Sequence, residues 1–174
     1  MSLLPRTIWL DASDRVVFTR AAEPGEWAVP GGFAFWDEDP AALTGKRRQE
    51  FRAGFLGLGS FGWSTLVEVA EASAEARSAA VAALAAHIET RYGAPDAAAA
   101  RAAAEEEIAF AESLCTHPPG TVLALSRTVE DGAVRERFRT LHRREGPLPV
   151  FAIEEAGDEA PERLDLTTMG SERR

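Results

Sequence analysis

Residues 121–142 read TVLALSRTVEDGAVRERFRTLH. Two runs rich in β-branched and aromatic residues, 121–129 and 134–142, flank Glu130-Asp131-Gly132-Ala133. Asp-Gly is a strong signal for a two-residue hairpin turn, because both central residues must accept positive φ. Such a turn dictates the register. Arg127 then faces Glu136, Leu125 faces Phe138 and Val129 faces Val134. Side chains alternate with period two, so Arg135, Arg137 and Arg139 share the opposite face, across from Thr128, Ser126 and Ala124.

Upstream, Ser73 is a good N-cap for a helix in which Val81, Leu84, Ala85, Ile88 and Tyr92 form one apolar stripe. Gly93 and Pro95 end it, and Asp96 caps a second helix running to about Cys115, with Ile108, Ala111, Leu114 and Cys115 on one side. Two long helices with so short a link are expected to pack antiparallel. Pro118-Pro119-Gly120 then leads into the strand at 121.

The N-terminal third reads as extended structure. Thr7–Leu10 and Val16–Thr19 flank Asp11–Asp14 and predict a β-hairpin over residues 6–20. Residues 26–36 are expected to be extended with a bend at Pro30-Gly31-Gly32, and Asp39-Pro40 opens a short helix over about 41–55. Trp63–Val69 carries apolar residues on both faces and is placed centrally in a sheet. Val150–Glu154 reads as a last strand. The sum is an α+β fold, a mostly antiparallel sheet with an antiparallel helical hairpin packed on one face. Residues 1–154 form one domain and 155–174, polar and aperiodic, a flexible tail.

The 174 residues carry a formal charge of −9. That sign disfavours nucleic acid and anionic membrane surfaces as partners. The single cysteine, Cys115, excludes an internal disulfide. No apolar run reaches the roughly 20 residues of a bilayer span, and Met1–Arg15 lacks a signal-peptide core, so the expected location is the cytoplasm.

Residues 26–39, EWAVPGGFAFWDED, resemble the W-x-x-P-G-G entry to the magnesium-binding helix of Nudix hydrolases. Aligned on Gly32, the pattern places Glu38 and Glu50 correctly. However, it puts Lys46, Arg47, Arg48 and Phe51 where an arginine, a glutamate, an apolar residue and a metal-binding glutamate belong. One carboxylate among three cations is a poor magnesium site, so the motif reads as a decoy. The plainer reading makes Trp27, Phe33, Phe35 and Trp36 core or interface aromatics around a glycine bend.

Gly57-Leu58-Gly59-Ser60-Phe61-Gly62 matches G-x-G-x-x-G, but a helix precedes it and a strand follows, the reverse of the dinucleotide-binding order. It is expected to be a close helix-to-strand turn. Cys115-Thr116-His117 lacks the further partners a nucleophile needs, and Cys115 sits on the apolar side of its helix. His87, His117 and His142 share no ligand spacing. No catalytic residue, metal ligand or cofactor is assigned.

The binding candidates are Arg135, Arg137 and Arg139, which make a positive row able to hold a carboxylate, a phosphate or an acidic segment. Trp27, Trp36 and Arg48 join them, tryptophan and arginine being the residues enriched at binding hot spots. Lys46, Arg47, Arg48 and Arg52 would extend the row if their helix packs beside it. The plainer alternative leaves the arginines on a solvent face, paired to nearby acids.

Three stretches, EPGEWAVPGGFAFWD, RAGFLGLGSFGWSTLVEVAEAS and SLCTHPPGTVLALSRT, resemble a family of small bacterial proteins carrying a domain of unknown function, over about residues 5–145. The resemblance implies genes encoded near accessory genes for molybdenum-dependent dehydrogenases and near lipoate or biotin ligase-like proteins, and with them an accessory role in assembling a redox enzyme. It brings no catalytic residues. The expected function is therefore a non-catalytic accessory or protein-binding domain with a protein partner, able to self-associate as a homodimer. The alternative is a binder of phosphate- or carboxylate-bearing small molecules, or an enzyme, including a degenerate Nudix-like domain. Its site would lie between the Pro30–Asp39 loop and the sheet, with Asp37, Glu38 and Asp39 as acid–base groups.

Overall fold

The computed structural model describes residues 1–144, 150–152 and 160–164, and the side chains of residues 1–141. In chain order the elements are β1 (Ser2–Ile8), α1 (Asp14–Val17), β2 (Ala28–Val29), two 3-10 turns (Gly32–Phe35 and Pro40–Ala42), α2 (Gly45–Ala53), β3 (Phe55–Gly57) and β4 (Trp63–Ser64). They continue with β5 (Leu66–Ala72), α3 (Ala74–Arg91), α4 (Ala97–Leu114), β6 (Val122–Glu130), β7 (Ala133–Arg144), β8 (Val150–Ala152) and β9 (Ala160–Leu164). The main sheet has the order β1-β5-β6-β7-β8, with β9 also on β7, and a small sheet runs β2-β3-β4. The strand pairings are antiparallel. The fold is α+β, as expected.

The β6–β7 hairpin adopts the register its turn dictates, with Arg127 opposite Glu136, Leu125 opposite Phe138 and Val129 opposite Val134. Asp131 at φ 54° and Gly132 at φ 81° supply the two positive values. The helical hairpin also forms as read. Ser73 Oγ accepts from the Ala76 amide at 3.0 Å and Asp96 Oδ1 from the Ala99 amide at 2.8 Å. Val81, Leu84 and Ile88 of α3 and Ile108 and Ala111 of α4 lie in the main core, and Gly93 leaves α3 at φ 72°. Arg77 ties the two helices, pairing with Glu112 at 2.7 Å and Glu105 at 3.2 Å.

One face of the main sheet packs Val67, Val69, Leu123, Leu125 and Phe138 against Leu114 of α4 and the Cys115 that follows it, and against Ala28 and Phe55 of the small sheet. On the other face Ile8, Leu66, Val122, Ala124 and Leu141 make a smaller cluster, and the register places Arg135, Arg137 and Arg139 on that side.

The expected N-terminal hairpin does not form. Thr7 and Ile8 end β1, which pairs along its whole length with β5, from Ser2 opposite Ala72 to Ile8 opposite Leu66. Val16 and Val17 instead belong to the helical turn α1, where buried Asp14 accepts from the Thr65 amide at 3.1 Å and the Thr65 hydroxyl at 2.6 Å. Seven long-range pairs outcompete a local β-preference that depends on context.

The expected strand over 63–69 is split at Thr65 between the two sheets, and β5 does lie inside the main sheet, between β1 and β6. The helix expected over 41–55 divides into the Pro40–Ala42 turn and α2. Ala160–Leu164, inside the stretch expected to be a polar tail, pairs with β7. Residues 145–149, 153–159 and 165–174 lie outside the described residues.

Candidate functional site

The Pro30-Gly31-Gly32 bend is organised by a side chain from the distant hairpin. Arg127 is 1% exposed and points to the face of β6 on which α2 packs. Its Nε donates to Glu136 Oε2 at 2.6 Å, and its Nη1 donates to the carbonyls of Phe51 at 2.8 Å and Gly54 at 3.3 Å. Its Nη2 donates to the Pro30 carbonyl. Phe51 and Gly54 close α2, so the guanidinium satisfies orphan carbonyls at the negative end of that helix. Gly32 is small because a Cβ there would lie 2.9 Å from Glu136 Oε2. The glycine bend is thus the lid of a buried ion pair.

The two carboxylates singled out by the Nudix pattern are joined by a cation. Arg47 Nε lies 3.1 and 3.2 Å from the oxygens of Glu38, and its Nη1 lies 3.1 Å from Glu50 Oε1. Glu50, 3% exposed, also accepts from the Thr19 amide at 2.8 Å. The guanidinium lies over the Phe35 ring at 4.1 Å, and its carboxylate partners hold its pKa above the ordinary arginine value against the opposing effect of burial. No group of three or more metal-ligating side chains occurs among the described residues.

The G-x-G-x-x-G stretch is the turn between β3 and β4, not the helix-to-strand link expected, because α2 ends at Ala53 and Phe55–Gly57 already pairs with β4. Its amides are engaged internally. Glu26 Oε1 accepts from the Gly59 and Ser60 N–H groups, each at 2.8 Å, and Oε2 accepts from the Glu23 N–H at 2.6 Å. An internal carboxylate therefore fills the place a bound anion would take.

The arginine row is uneven. Arg137 is half exposed, whereas the Arg135 side chain is largely covered; Glu130 approaches Arg135 Nε at 3.4 Å and Arg137 Nη2 at 3.8 Å. Arg139 is intermediate. Arg48 is exposed on α2, which packs on the other face of β6, so the basic cluster of α2 does not continue the row. Trp27 is half-buried against the main core, with Arg6 5.9 Å above its ring.

Trp36 differs from every other tryptophan here. Trp63 is core, Trp9 donates to the Ala22 carbonyl at 2.8 Å, and Trp36 is 67% exposed. It follows Phe35 at the end of the first 3-10 turn, where Phe35 turns inward onto Phe51 and Trp63, each with ring centroids 5.3 Å apart. Trp36 and Phe33 form one wall of an open cavity of about 510 Å³. Ile88, Tyr92 and Gly93 at the end of α3 form the second wall, and Ala103, Glu106 and Glu107 of α4 the third. A chain of ring contacts holds the first two walls together. Phe61 stacks on His87 at 3.8 Å, His87 meets Tyr92 at 5.5 Å, and Tyr92 meets Phe33 edge-on at 5.3 Å.

Burial, aided by Arg91, lowers the pKa of His87, so it is a neutral stacked ring near neutral pH. Burial raises the Tyr92 hydroxyl, which stays protonated. Of the cavity's aromatics, Trp36 was singled out as a binding residue from sequence; Tyr92 and the α4 glutamates were not, because only tertiary packing brings a helix C-terminus beside the 31–36 turn.

Cys115 is buried, and desolvation with Glu112 nearby pushes its thiol up to about 12. At pH 8 the thiolate fraction is then on the order of one in 10⁴. Native protein should react with a thiol-alkylating reagent far more slowly than unfolded protein, and equal rates by mass spectrometry would contradict this environment.

Among the described residues no helix is long and apolar enough to cross a membrane. Comparison with curated proteins and with solved structures returns no match. A family model does match, over residues 1–159, and the chain belongs to that family of unknown function, DUF6505.

Proposed function

We propose that the protein is a non-catalytic accessory domain that binds a protein partner, with Trp36 at the centre of the contact. The carrying observation is an indole left 67% exposed beside an open cavity. A large rigid aromatic at the rim of a concave surface is the residue type and place expected of a binding hot spot. The internal engagement of Glu38, Glu50 and Glu26 supports a reading without turnover, since Arg47 and backbone amides already take up these carboxylates. An accessory role in redox-enzyme assembly is the form of this function that the sequence resemblance suggests. Arg137, half exposed on the far face of the sheet, is a secondary contact candidate.

The test is paired affinity capture from source-cell lysate with wild-type protein and the Trp36→Ala variant. Because Trp36 is mostly outside the core, the variant should keep its melting temperature within about 2 °C, as surface changes usually shift stability by no more than ~0.5 kcal/mol. A specific partner should be retained by wild type and bound roughly thirtyfold or more weakly by Trp36→Ala, in line with a hot-spot truncation of ~2 kcal/mol or more. Equal retention by both proteins removes Trp36 from the interface. A second reading, a small-ligand binder, is favoured by the cavity volume, which falls in the range of ligand pockets.

A further inference from the structure

The chemistry of the cavity walls selects a class of ligand. Phe33, Trp36 and Tyr92 present three aromatic rings, and Glu106 and Glu107 bring carboxylates to the α4 wall. Aromatic faces carry negative quadrupole charge and attract cations, most strongly in the order led by tryptophan. Asp37 and Glu38 both act on Tyr92, as do Arg47 and Arg91. Arg47 and Glu38 are paired with one another, Arg47 also reaching Glu50, and Arg91 is exposed at the end of α3. At the α4 wall an anionic ligand would meet the Glu106 and Glu107 carboxylates, whereas a cation would find counter-charge there.

We propose that the cavity between the 31–36 turn and the α3–α4 hairpin binds an organic ammonium group, the cation lying against Trp36 and Tyr92 with Glu106 as counter-charge. The inference rests on the binding reading only through their shared use of Trp36. The ammonium group can belong to a free small molecule or to a lysine side chain presented by a partner, since both offer a cation on an apolar stem.

The experiment is a titration of the purified full chain followed by the tryptophan indole N–H signals in two-dimensional NMR, which separates the four tryptophans. The probes are choline and its neutral isostere 3,3-dimethylbutan-1-ol. A lysine peptide, acetyl-Gly-Lys-Gly-amide, is compared with the same peptide carrying norleucine. Choline or the lysine peptide should produce a saturable shift of the Trp36 signal, with an affinity roughly 2- to 30-fold above its neutral counterpart, the range a cation–π contact spans between exposed and desolvated sites. Glu106→Gln should reduce that preference, and Trp36→Ala should abolish saturation seen at neighbouring amides such as Gly93.

Preference for choline assigns a free small-molecule ammonium, and preference for the lysine peptide assigns a partner's side chain. Equal binding of the cationic and neutral probes, or no saturable shift with either cation, overturns the proposal. Loss of partner capture with Trp36→Ala alongside no cation binding would leave the interface in place and remove only this ligand class.

Discussion

Replacing Arg127 with Met should lower the stability of the domain by about 3–5 kcal/mol, the cost of leaving one member of a buried ion pair uncompensated. The mechanism is specific to this site. Arg127 is enclosed, its Nε lies 2.6 Å from Glu136, and its other donors satisfy carbonyls of Pro30, Phe51 and Gly54. Methionine fills much of the volume but donates to none of them. For a chain of this size a loss of that magnitude corresponds to a fall of roughly 6–20 °C in melting temperature.

The double variant Arg127→Met with Glu136→Leu should recover part of the loss, because replacing a whole buried pair with apolar groups is far milder than breaking it. Thermal unfolding of the two singles and the double measures this coupling. A single Arg127→Met variant within about 1 kcal/mol of wild type, a loss no larger than an ordinary substitution, would show that the ion pair does not hold the bend to the sheet.

Gly31→Ala is the second large effect. Gly31 sits at φ 79°, and a Cβ there would lie 2.8 Å from Leu56 Cβ and 3.2 Å from the Trp63 ring, both in the core. The left-handed backbone costs about 1–2 kcal/mol for a residue with a Cβ. Forcing a methyl into a packed core adds about 1–3 kcal/mol. Together they predict a loss of about 2–5 kcal/mol, or roughly 4–20 °C. Gly25 provides the control, since it has φ 91° but nothing within 4 Å of the added atom. Gly25→Ala should show the backbone cost alone. If the two variants melt together, the close approach of the bend to Leu56 and Trp63 is not what restricts position 31.

These two sites also explain what could be read from the chain and what could not. The sequence W-x-x-P-G-G invites comparison with a metal-binding entry loop, yet here its glycines give room to Leu56, Trp63 and the Arg127–Glu136 pair. Nothing local signals that partner, because Arg127 lies 97 residues from Pro30. The hairpin register did predict that Arg127 faces Glu136, since the pairing follows from a two-residue turn alone. It did not predict that this face is buried. The N-terminal hairpin failed for the converse reason: the apolar pattern of 16–19 suited a strand, but β1 found its pairing partner in β5.

Determined by the sequence itself were the helical hairpin with its Ser73 and Asp96 caps, the Asp131-Gly132 turn and the α+β class, because each rests on hydrogen bonds and periodicities spanning a few residues. Tertiary structure alone decided which tryptophan stays at the surface, where Arg127 is sealed, and how Phe33, Trp36, Tyr92 and the glutamates of α4 come to line one cavity. Those outcomes depend on which distant surfaces bury each other, and burial is a property of the packed whole that no local spacing encodes.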